Sequence, residues 1–212
     1  MESIKKAEEA LDHLLLGIAD LDEGIDWVHR QTGVRAAMGG RHPGAGTRNA
    51  LLSLNDHQYL EILALDPEQK QEGWMADMVQ NAGKPRLVAW AVAVPEIISV
   101  LRNAVVFGYR VEGPAEGSRL TLLGKKLSWK TARIRCNFGA VIPFFIEWGQ
   151  GIEHPSQSSP AGCRLQRLEF IHPEADRVGE MLASLGLAAA VHQGTEPRIT
   201  ALLHTPRGEI RI

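Results

Sequence analysis

The chain has 212 residues, of which 44% are hydrophobic and 23% are charged, and this composition is typical of a globular protein that buries a sizeable core. Its formal net charge of −2 argues against nucleic acid or anionic lipid as a general partner, because both attract a clustered basic surface. The sequence has no apolar signal core and no apolar run of about 18 residues, so we expect a cytoplasmic protein without a membrane partner.

The first predicted elements are a strand, a helix and three further strands. The apolar run Leu11–Gly17 predicts a strand, and Asp20 with Glu23 forms a variant of the capping box that begins a helix ending at Gly33. Three short strands should follow, at Val34–Met38, Arg48–Leu54 and Gln58–Leu65. This order describes a βαβββ module over residues 9–66.

The same order returns in the second part of the chain. The apolar run Arg86–Val94 predicts a strand, Pro95 suits a first helical turn, and Gly108 ends the helix. Three strands are again expected, at Tyr109–Glu112, Lys126–Ile134 and Ala140–Trp148. The second βαβββ module therefore covers residues 85–155.

A third, shorter copy follows over residues 162–212. It has a strand at Arg164–Ile171 and a helix from Pro173 to Gly186, which matches the spacing from Pro95 to Gly108. Two strands complete it, at Arg198–His204 and Glu209–Ile212. The sequence therefore predicts an α+β protein with two tandem βαβββ modules, which a shortened βαββ copy extends or caps.

Three ionisable residues lie within the apolar strands, and they are His13, Glu61 and Glu147. Desolvating such a group costs several kcal/mol unless something neutralises it, so the presence of each residue in an apolar strand needs an explanation. One imidazole and two carboxylates are a plausible ligand set for a divalent metal. Two alternatives stay open: Glu61 could be solvated on an open face of the sheet, and His13 could be a satisfied structural group.

Several short motifs resemble a known family. Residues 39–49 read GGRHPGAGTRN and are followed by YLE at 59–61, which resembles the GxHPxxGTxN … YLE signature of a glyoxalase-like family. That family lies within the vicinal oxygen chelate superfamily of glyoxalase, bleomycin resistance and dioxygenase proteins. PFFIEWG at 143–149 and HP at 154–155 are also similar to it, so the resemblance covers roughly residues 11–155.

The resemblance implies a fold and a metal site. Two modules of this kind curl into facing halves of one mixed sheet, with the helices outside and a divalent ion such as Zn, Ni, Mn or Fe where the halves meet. The implied ligands are His13 and Glu61 from the first module and Glu147 from the second. The fourth position falls on Ala89, which departs from the family pattern.

The glycine-rich segment is the candidate substrate loop. It lacks the Gly-Lys-Ser/Thr ending of a nucleotide-binding loop. We interpret it as a tight loop at the mouth of the cup, the space that the curled sheet encloses, where glycines permit close turns. The predicted substrate-binding residues are His42, Thr47, Asn49, Trp90 and His154. Either His42, His154 or water could also complete the metal shell. The alternative is a hairpin connection without a ligand role.

The resemblance implies a small-molecule enzyme with divalent-metal-dependent chemistry of isomerase, lyase or dioxygenase type, acting on a substrate with adjacent oxygens. Glu147 is the better candidate for its general base, because its module lacks the matching histidine. Loss of the fourth ligand at Ala89 favours an alternative, a metal-free protein that binds or sequesters a small molecule. A structural or interaction module is a third alternative, and a homodimer stays open.

Overall fold

The computed structural model describes residues 4–80, 82–121 and 124–212. In chain order its elements are β1 (Lys5–Lys6), α1 (Ala7–Ala10), β2 (Leu11–Gly17), α2 (Leu21–Thr32), β3 (Ala37–His42), β4 (Thr47–Asn55), β5 (Gln58–Leu65), α3 (Trp74–Gln80), β6 (Arg86–Ala93), α4 (Ile97–Val106), β7 (Arg110–Leu120), β8 (Lys126–Arg135), a 3₁₀ helix (Gly139–Val141), β9 (Phe144–Trp148), α5 (Pro155–Ser158), β10 (Arg164–His172), α6 (Ala175–Ser184), β11 (Leu187–Ala188), β12 (Ala190–Gln193), β13 (Arg198–Thr205) and β14 (Gly208–Arg211). Within these described ranges, no helix has the length and apolar character needed to cross a membrane.

Eight strands form one mixed sheet, in the order β3-β4-β5-β2-β6-β9-β8-β7. At its centre β2 and β6 pair antiparallel, and each has a parallel neighbour on its other side, β5 and β9 respectively. Each of the two repeats thus contributes four consecutive strands to one sheet. The predicted α+β class with a curled mixed sheet is confirmed.

The sheet curls so strongly that its two edge strands approach each other. Arg119 in β7 donates a hydrogen bond to the carbonyl oxygen of Gly39 in β3, and this arginine is only 6% exposed. A side chain at Gly40 would collide with the carbonyl oxygen of Leu120, so the absence of a Cβ atom permits the approach. The inner face of the sheet is therefore enclosed along this seam.

The two-residue period of the strands sends alternate side chains to opposite faces of this sheet. On the outer face, Leu14 and Trp90 belong to the main hydrophobic core beneath the helices. On the inner face, Leu15 and Phe144 belong to a second, smaller apolar cluster. Any functional side chain inside the cup must therefore stand at an inner-face position.

The long helices begin and end at residues suited to those positions. Asp20 accepts a hydrogen bond of 3.0 Å from the backbone N–H of Glu23 at the start of α2, and Gly33 ends that helix with a φ of 82°. Helix α4 has no side-chain cap from its own flanking residue. Its first N–H, that of Ile97, instead donates to a carboxylate from β9, that of Glu147, at 2.8 Å.

One predicted strand begins later than expected. The sequence predicts a strand at Ala140–Trp148, but the 3₁₀ turn occupies Gly139–Val141 and β9 begins at Phe144. Pro143 has no N–H to donate to a strand ladder, so pairing starts only after it. The segment between the first two repeats also contains helix α3, which the sequence pattern did not predict.

The third repeat forms its own sheet, in the order β12-β10-β13-β14, beside the short β1-β11 pair. Its Phe170 packs against Trp90 with ring centroids 5.0 Å apart, and both side chains are fully buried. The Trp90 indole N–H donates to the carbonyl oxygen of Val141 at 3.1 Å. This corrects the expectation that Trp90 binds substrate, because its side chain faces the outer core and not the cup.

We expect Trp90→Ala to lower the free energy of unfolding by about 3–5 kcal/mol, because it removes a buried indole and leaves the Val141 carbonyl oxygen without its donor. Urea denaturation measures this loss. Trp74→Ala is the matched control, since Trp74 is only half-buried and its removal should cost less. Equal losses in the two variants would contradict the placement of Trp90 in the core.

Candidate active site

A buried polar cluster occupies the inner face of the first module, with Glu61 at its centre. His13 Nε2 lies 3.4 Å from Glu61 Oε2, and Asn49 Nδ2 donates to Glu61 Oε1 at 2.7 Å. These three residues stand on the neighbouring strands β2, β5 and β4, and none is more than 4% exposed. The sheet therefore brings a carboxylate, an imidazole and an amide together away from bulk water.

Asp12 fixes the orientation of the His13 ring. The pairing register between β2 and β6 shifts between Leu11 and His13, and at this irregularity His13 Nδ1 lies 2.5 Å from Asp12 Oδ1. Burial alone raises the pKa of the Asp12 carboxyl group, but hydrogen bonds to His13 and His154 and the charges of those rings hold that pKa well below its usual range. An ionised Asp12 accepts the Nδ1 proton of His13, which leaves Nε2 to interact with Glu61.

The segment expected to form the substrate loop is a hairpin, because Gly39–His42 belong to β3 and Thr47–Asn49 to β4, and it supplies a second imidazole to the cluster. His42 Nε2 lies 3.2 Å from Asn49 Nδ2 and 3.7 Å from Glu61 Oε1, while Nδ1 lies 2.9 Å from Thr47 Oγ1. Burial lowers the pKa of His42, and the charge of Glu61 only partly opposes this. His42 and Asn49 thus lie beside Glu61, Thr47 contacts His42, and burial favours the neutral form of the His42 ring.

Asn49 has an unsatisfied atom in this cluster. Its Oδ1 is buried without a hydrogen-bond partner among the described residues, whereas its Nδ2 contacts both Glu61 and His42. A Cβ atom at Gly39 would collide with this oxygen, so the glycine makes room for it. A buried acceptor of this kind favours a donor from outside the protein, such as a hydroxyl group or water.

Arg119 is a member of the cluster that sequence reasoning missed. Burial lowers the pKa of its guanidinium group, while the nearby Tyr59 and Glu61 raise it. Its positive charge therefore lies close enough to Glu61 to compensate part of the buried negative charge. No local motif indicates this role, because it depends on the approach of β7 to β3.

Glu147 does not join the cluster, and this corrects its expected roles as metal ligand and general base. It alternates with the inward-facing Phe144 and Ile146, so the strand period turns it toward the outer helices. Its Oε2 accepts from Ile97 N–H at 2.8 Å, and its Oε1 pairs with Lys130 Nζ at 3.1 Å. Glu147 is therefore an N-terminal cap of helix α4.

His154 also lies away from Glu61. Its Nε2 is 3.1 Å from Asp12 Oδ2, which also accepts from the Trp148 indole N–H at 2.9 Å, and its Nδ1 lies 2.7 Å from Ser156 Oγ. These contacts place His154 on the far side of Asp12. The contacts make His154 an anchor for Asp12, and its expected roles in substrate binding and in a metal shell stay predictions.

The second module does not supply the donors for a metal site between the modules. Helices α2 and α4 begin at Leu21 and Ile97, 76 positions apart, and the same offset places Ala89 at the position of His13. Leu15 pairs with Glu61 in the first module, and its counterpart Ala91 pairs with Phe144 in the second. The imidazole of His13 thus corresponds to the methyl group of Ala89, and the carboxylate of Glu61 corresponds to the phenyl ring of Phe144.

The residues present therefore do not fit the metal site that the resemblance implies. Neither Ala89 nor Phe144 has a donor atom, and Glu147 faces away from the cup. Within residues 4–80, 82–121 and 124–212, no group of three or more His, Cys, Asp or Glu side chains is arranged to hold a metal ion.

A cleft of about 610 Å³ opens in the second module. Ala89 and Phe144 line it, and the Phe144 ring also contacts the His13 ring edge to face, with centroids 5.5 Å apart. The cleft and the polar cluster are therefore separated by one aromatic side chain. Sequence reasoning missed this cleft, because its lining comes from α3, β6, β7, β8, β9 and the connection between β8 and β9 and shows no common motif.

We expect Glu147→Gln to lower the free energy of unfolding by about 1 kcal/mol at neutral pH, since it weakens a helix cap and removes an ion pair. The Ile97 N–H and Lys130 lower the pKa of Glu147 below its usual value of 4.5. A carboxylate with a lowered folded-state pKa stabilises the protein above the unfolded-state pKa and loses this effect as the pH falls through the folded-state value.

The difference between wild type and Glu147→Gln should therefore be complete above about pH 5 and shrink below about pH 4. Urea denaturation at a series of pH values measures it. Glu153→Gln is the matched control, because Glu153 pairs with Lys125 at an exposed position and its loss should change stability little. A difference that grows toward acid would contradict the capping role.

A family match and one solved structure agree with this fold. The glyoxalase-like domain family matches residues 11–186. A hypothetical protein from Staphylococcus aureus has a similar structure, with a TM-score of 0.73 and 16% identity over 89% of this chain and 87% of that one. Methylmalonyl-CoA epimerase from Mycobacterium tuberculosis has a TM-score of 0.46 and 19% identity, over 70% of this chain and 90% of that one.

No curated protein matches the sequence. The family match nevertheless spans most of the chain, and it covers both complete modules and the beginning of the third repeat. The chain therefore belongs to the glyoxalase-like domain family.

Proposed function

We propose that the protein is a small-molecule enzyme in which Glu61 and His13 transfer a proton on a substrate with adjacent oxygens. The observation that carries this proposal is that Glu61 Oε2 and His13 Nε2 face each other at 3.4 Å inside the cup. Two groups that can exchange a proton converge there, in a family of small-molecule enzyme type.

The surrounding contacts support this role because they fix the second polar atom of each side chain, Oε1 of Glu61 and Nδ1 of His13. Asn49 binds Glu61 Oε1, and Asp12 binds His13 Nδ1. The atoms left for chemistry are Glu61 Oε2 and His13 Nε2. An acid–base group is effective when it is fixed within hydrogen-bond reach of the proton that it moves.

The proposed steps use these residues directly. Glu61 Oε2 takes a proton from a substrate carbon next to a carbonyl group and passes it to the facing His13 Nε2, which delivers this proton to the adjacent oxygen or returns it to carbon. The unpartnered Asn49 Oδ1 accepts from a substrate hydroxyl group. Proton transfer of this kind is the step that isomerase and lyase reactions at such carbons share.

The side chains at the metal-ligand positions of the family do not support a metal-dependent reaction. A divalent ion between the modules would need ligands at Ala89 and Phe144, which have none. We therefore assign the proton transfer to the protein's own side chains and place isomerase or lyase chemistry ahead of ring-cleaving oxygenation.

Proton exchange in D₂O tests this proposal. A panel of 2-oxo acids and 2-hydroxy ketones, with and without a phosphate group, is incubated with the protein, and loss of the carbon-bound proton signal is followed by NMR. We expect at least one compound to exchange, and Glu61→Gln to slow its exchange by about 10²- to 10⁴-fold, since the base is removed with little change of shape.

Glu147→Gln is the matched control for that experiment. The same chemical change at the outer-face carboxylate should leave the exchange rate per folded molecule within about twofold of wild type, because Glu147 caps a helix. If Glu147→Gln abolishes exchange while Glu61→Gln retains it, the assignment of the base to Glu61 is wrong.

A second candidate function is metal-free binding or sequestration of a small molecule. The replacement of both donor positions by Ala89 and Phe144 and the cleft of about 610 Å³ beside them favour it. The two candidates differ in one result: a sequestering protein would bind a compound of the panel without exchanging its protons.

A further inference from the structure

The cleft in the second module carries three arginines that the proposed proton transfer does not use. Arg110 in β7 is directly paired with Arg135 in β8, and Arg133 stands two residues earlier on the same face of β8. All three line the cleft of about 610 Å³. The strand period thus collects three guanidinium groups on one inner surface.

These charges are only partly neutralised. The Glu112 carboxylate pairs with the Nε atoms of both Arg133 and Arg135, which leaves their terminal nitrogens for other acceptors. Arg110 has no carboxylate within 4.0 Å in the part of the chain that the structure describes. The cleft therefore has a surplus of positive charge and a fork of N–H donors suited to an oxyanion.

Beside the arginines, the lining of the cleft is apolar and aromatic. Trp74 and Phe144 meet edge to face with centroids 5.1 Å apart, and Met78, Val88 and Ala89 also line this side. Arg133 Cζ lies 5.3 Å from the centroid of the Trp74 ring, so the cationic and the aromatic walls are in contact. A cleft of this composition fits a ligand that has a charged end and a flat apolar body.

We propose that this cleft binds a small oxyanion, a phosphate or carboxylate group, that carries an apolar or aromatic body. The inference rests on the proposed function, because it names the substrate class of that site. Phe144 lines the cleft and contacts His13, so a ligand anchored by the arginines lies one side chain away from the proton-transfer pair. Arg110 is the specificity residue, since its charge is the one without a carboxylate partner.

Isothermal titration calorimetry with three probes tests the anchor. Phenyl phosphate and phenylacetate present the two oxyanions on one aromatic body, and benzyl alcohol presents that body without charge. We expect both anions to bind at least tenfold more tightly than benzyl alcohol, and the tighter of the two anions identifies which group the cleft prefers. Equal affinity for the three probes, or no binding of any, overturns the inference.

Arg110→Ala tests whether the cleft is responsible for that binding. The variant should weaken binding of the tighter anion at least tenfold, whereas Arg164→Ala, which removes an exposed arginine from the third repeat, should leave it within twofold. Equal binding in wild type and Arg110→Ala overturns the inference, and circular dichroism of both variants verifies that they are folded.

Glu61→Gln separates this inference from the proposed function. The variant should bind the anion within twofold of wild type, because the cleft is intact, while it loses proton exchange. Binding that depends on Arg110 in a protein that exchanges no compound supports the cleft and contradicts the enzyme proposal. If proton exchange depends on Glu61 but anion binding does not depend on Arg110, the result supports the enzyme proposal and contradicts the proposed role of the cleft.

Discussion

The carboxylate of Glu61 is buried on the inner face of the curled sheet, and most of the contacts around it follow from the need to compensate its negative charge. A buried carboxylate is tolerated when charges and hydrogen-bond donors surround it. Asn49 donates to one oxygen, His13 faces the other, and Arg119 places a positive charge nearby. The Arg119 hydrogen bond to Gly39 also closes the curled sheet, so one side chain contributes both to the compensation of Glu61 and to the closure of the cup.

The two modules share a fold but present different chemistry to the inside of the cup. The first module keeps polar side chains at its inner positions, and the corresponding positions of the second are Ala89 and Phe144. At these positions the second module has side chains without metal-donor atoms, and they line the cleft. In our proposal the first module performs proton transfer and the second holds the substrate, while the third repeat seals the outer face of the sheet through Phe170.

Much of the fold and part of the site could be predicted from the sequence, because they rest on local signals. The strand runs, the helix starts and the glycines that end the helices predict the repeated modules, and the strand period predicts that Glu61 and Asn49 face inward. The same period places Glu147 and Phe144 on opposite faces of the strand, but only the pairing of β9 with β6 shows that the face of Phe144 is the inner one. Arg119 and the arginines of the cleft gave no local signal, since they meet only after distant strands pair.

A crystal structure of the protein with a compound whose proton it exchanges is the most direct measurement of the central claim. The account predicts that the exchanging carbon lies within about 3.5 Å of Glu61 Oε2 or His13 Nε2, with its charged group toward Arg110. A complex in which the reacting carbon lies away from both atoms, or beside a Glu147 carboxylate that has turned inward from helix α4, would contradict it.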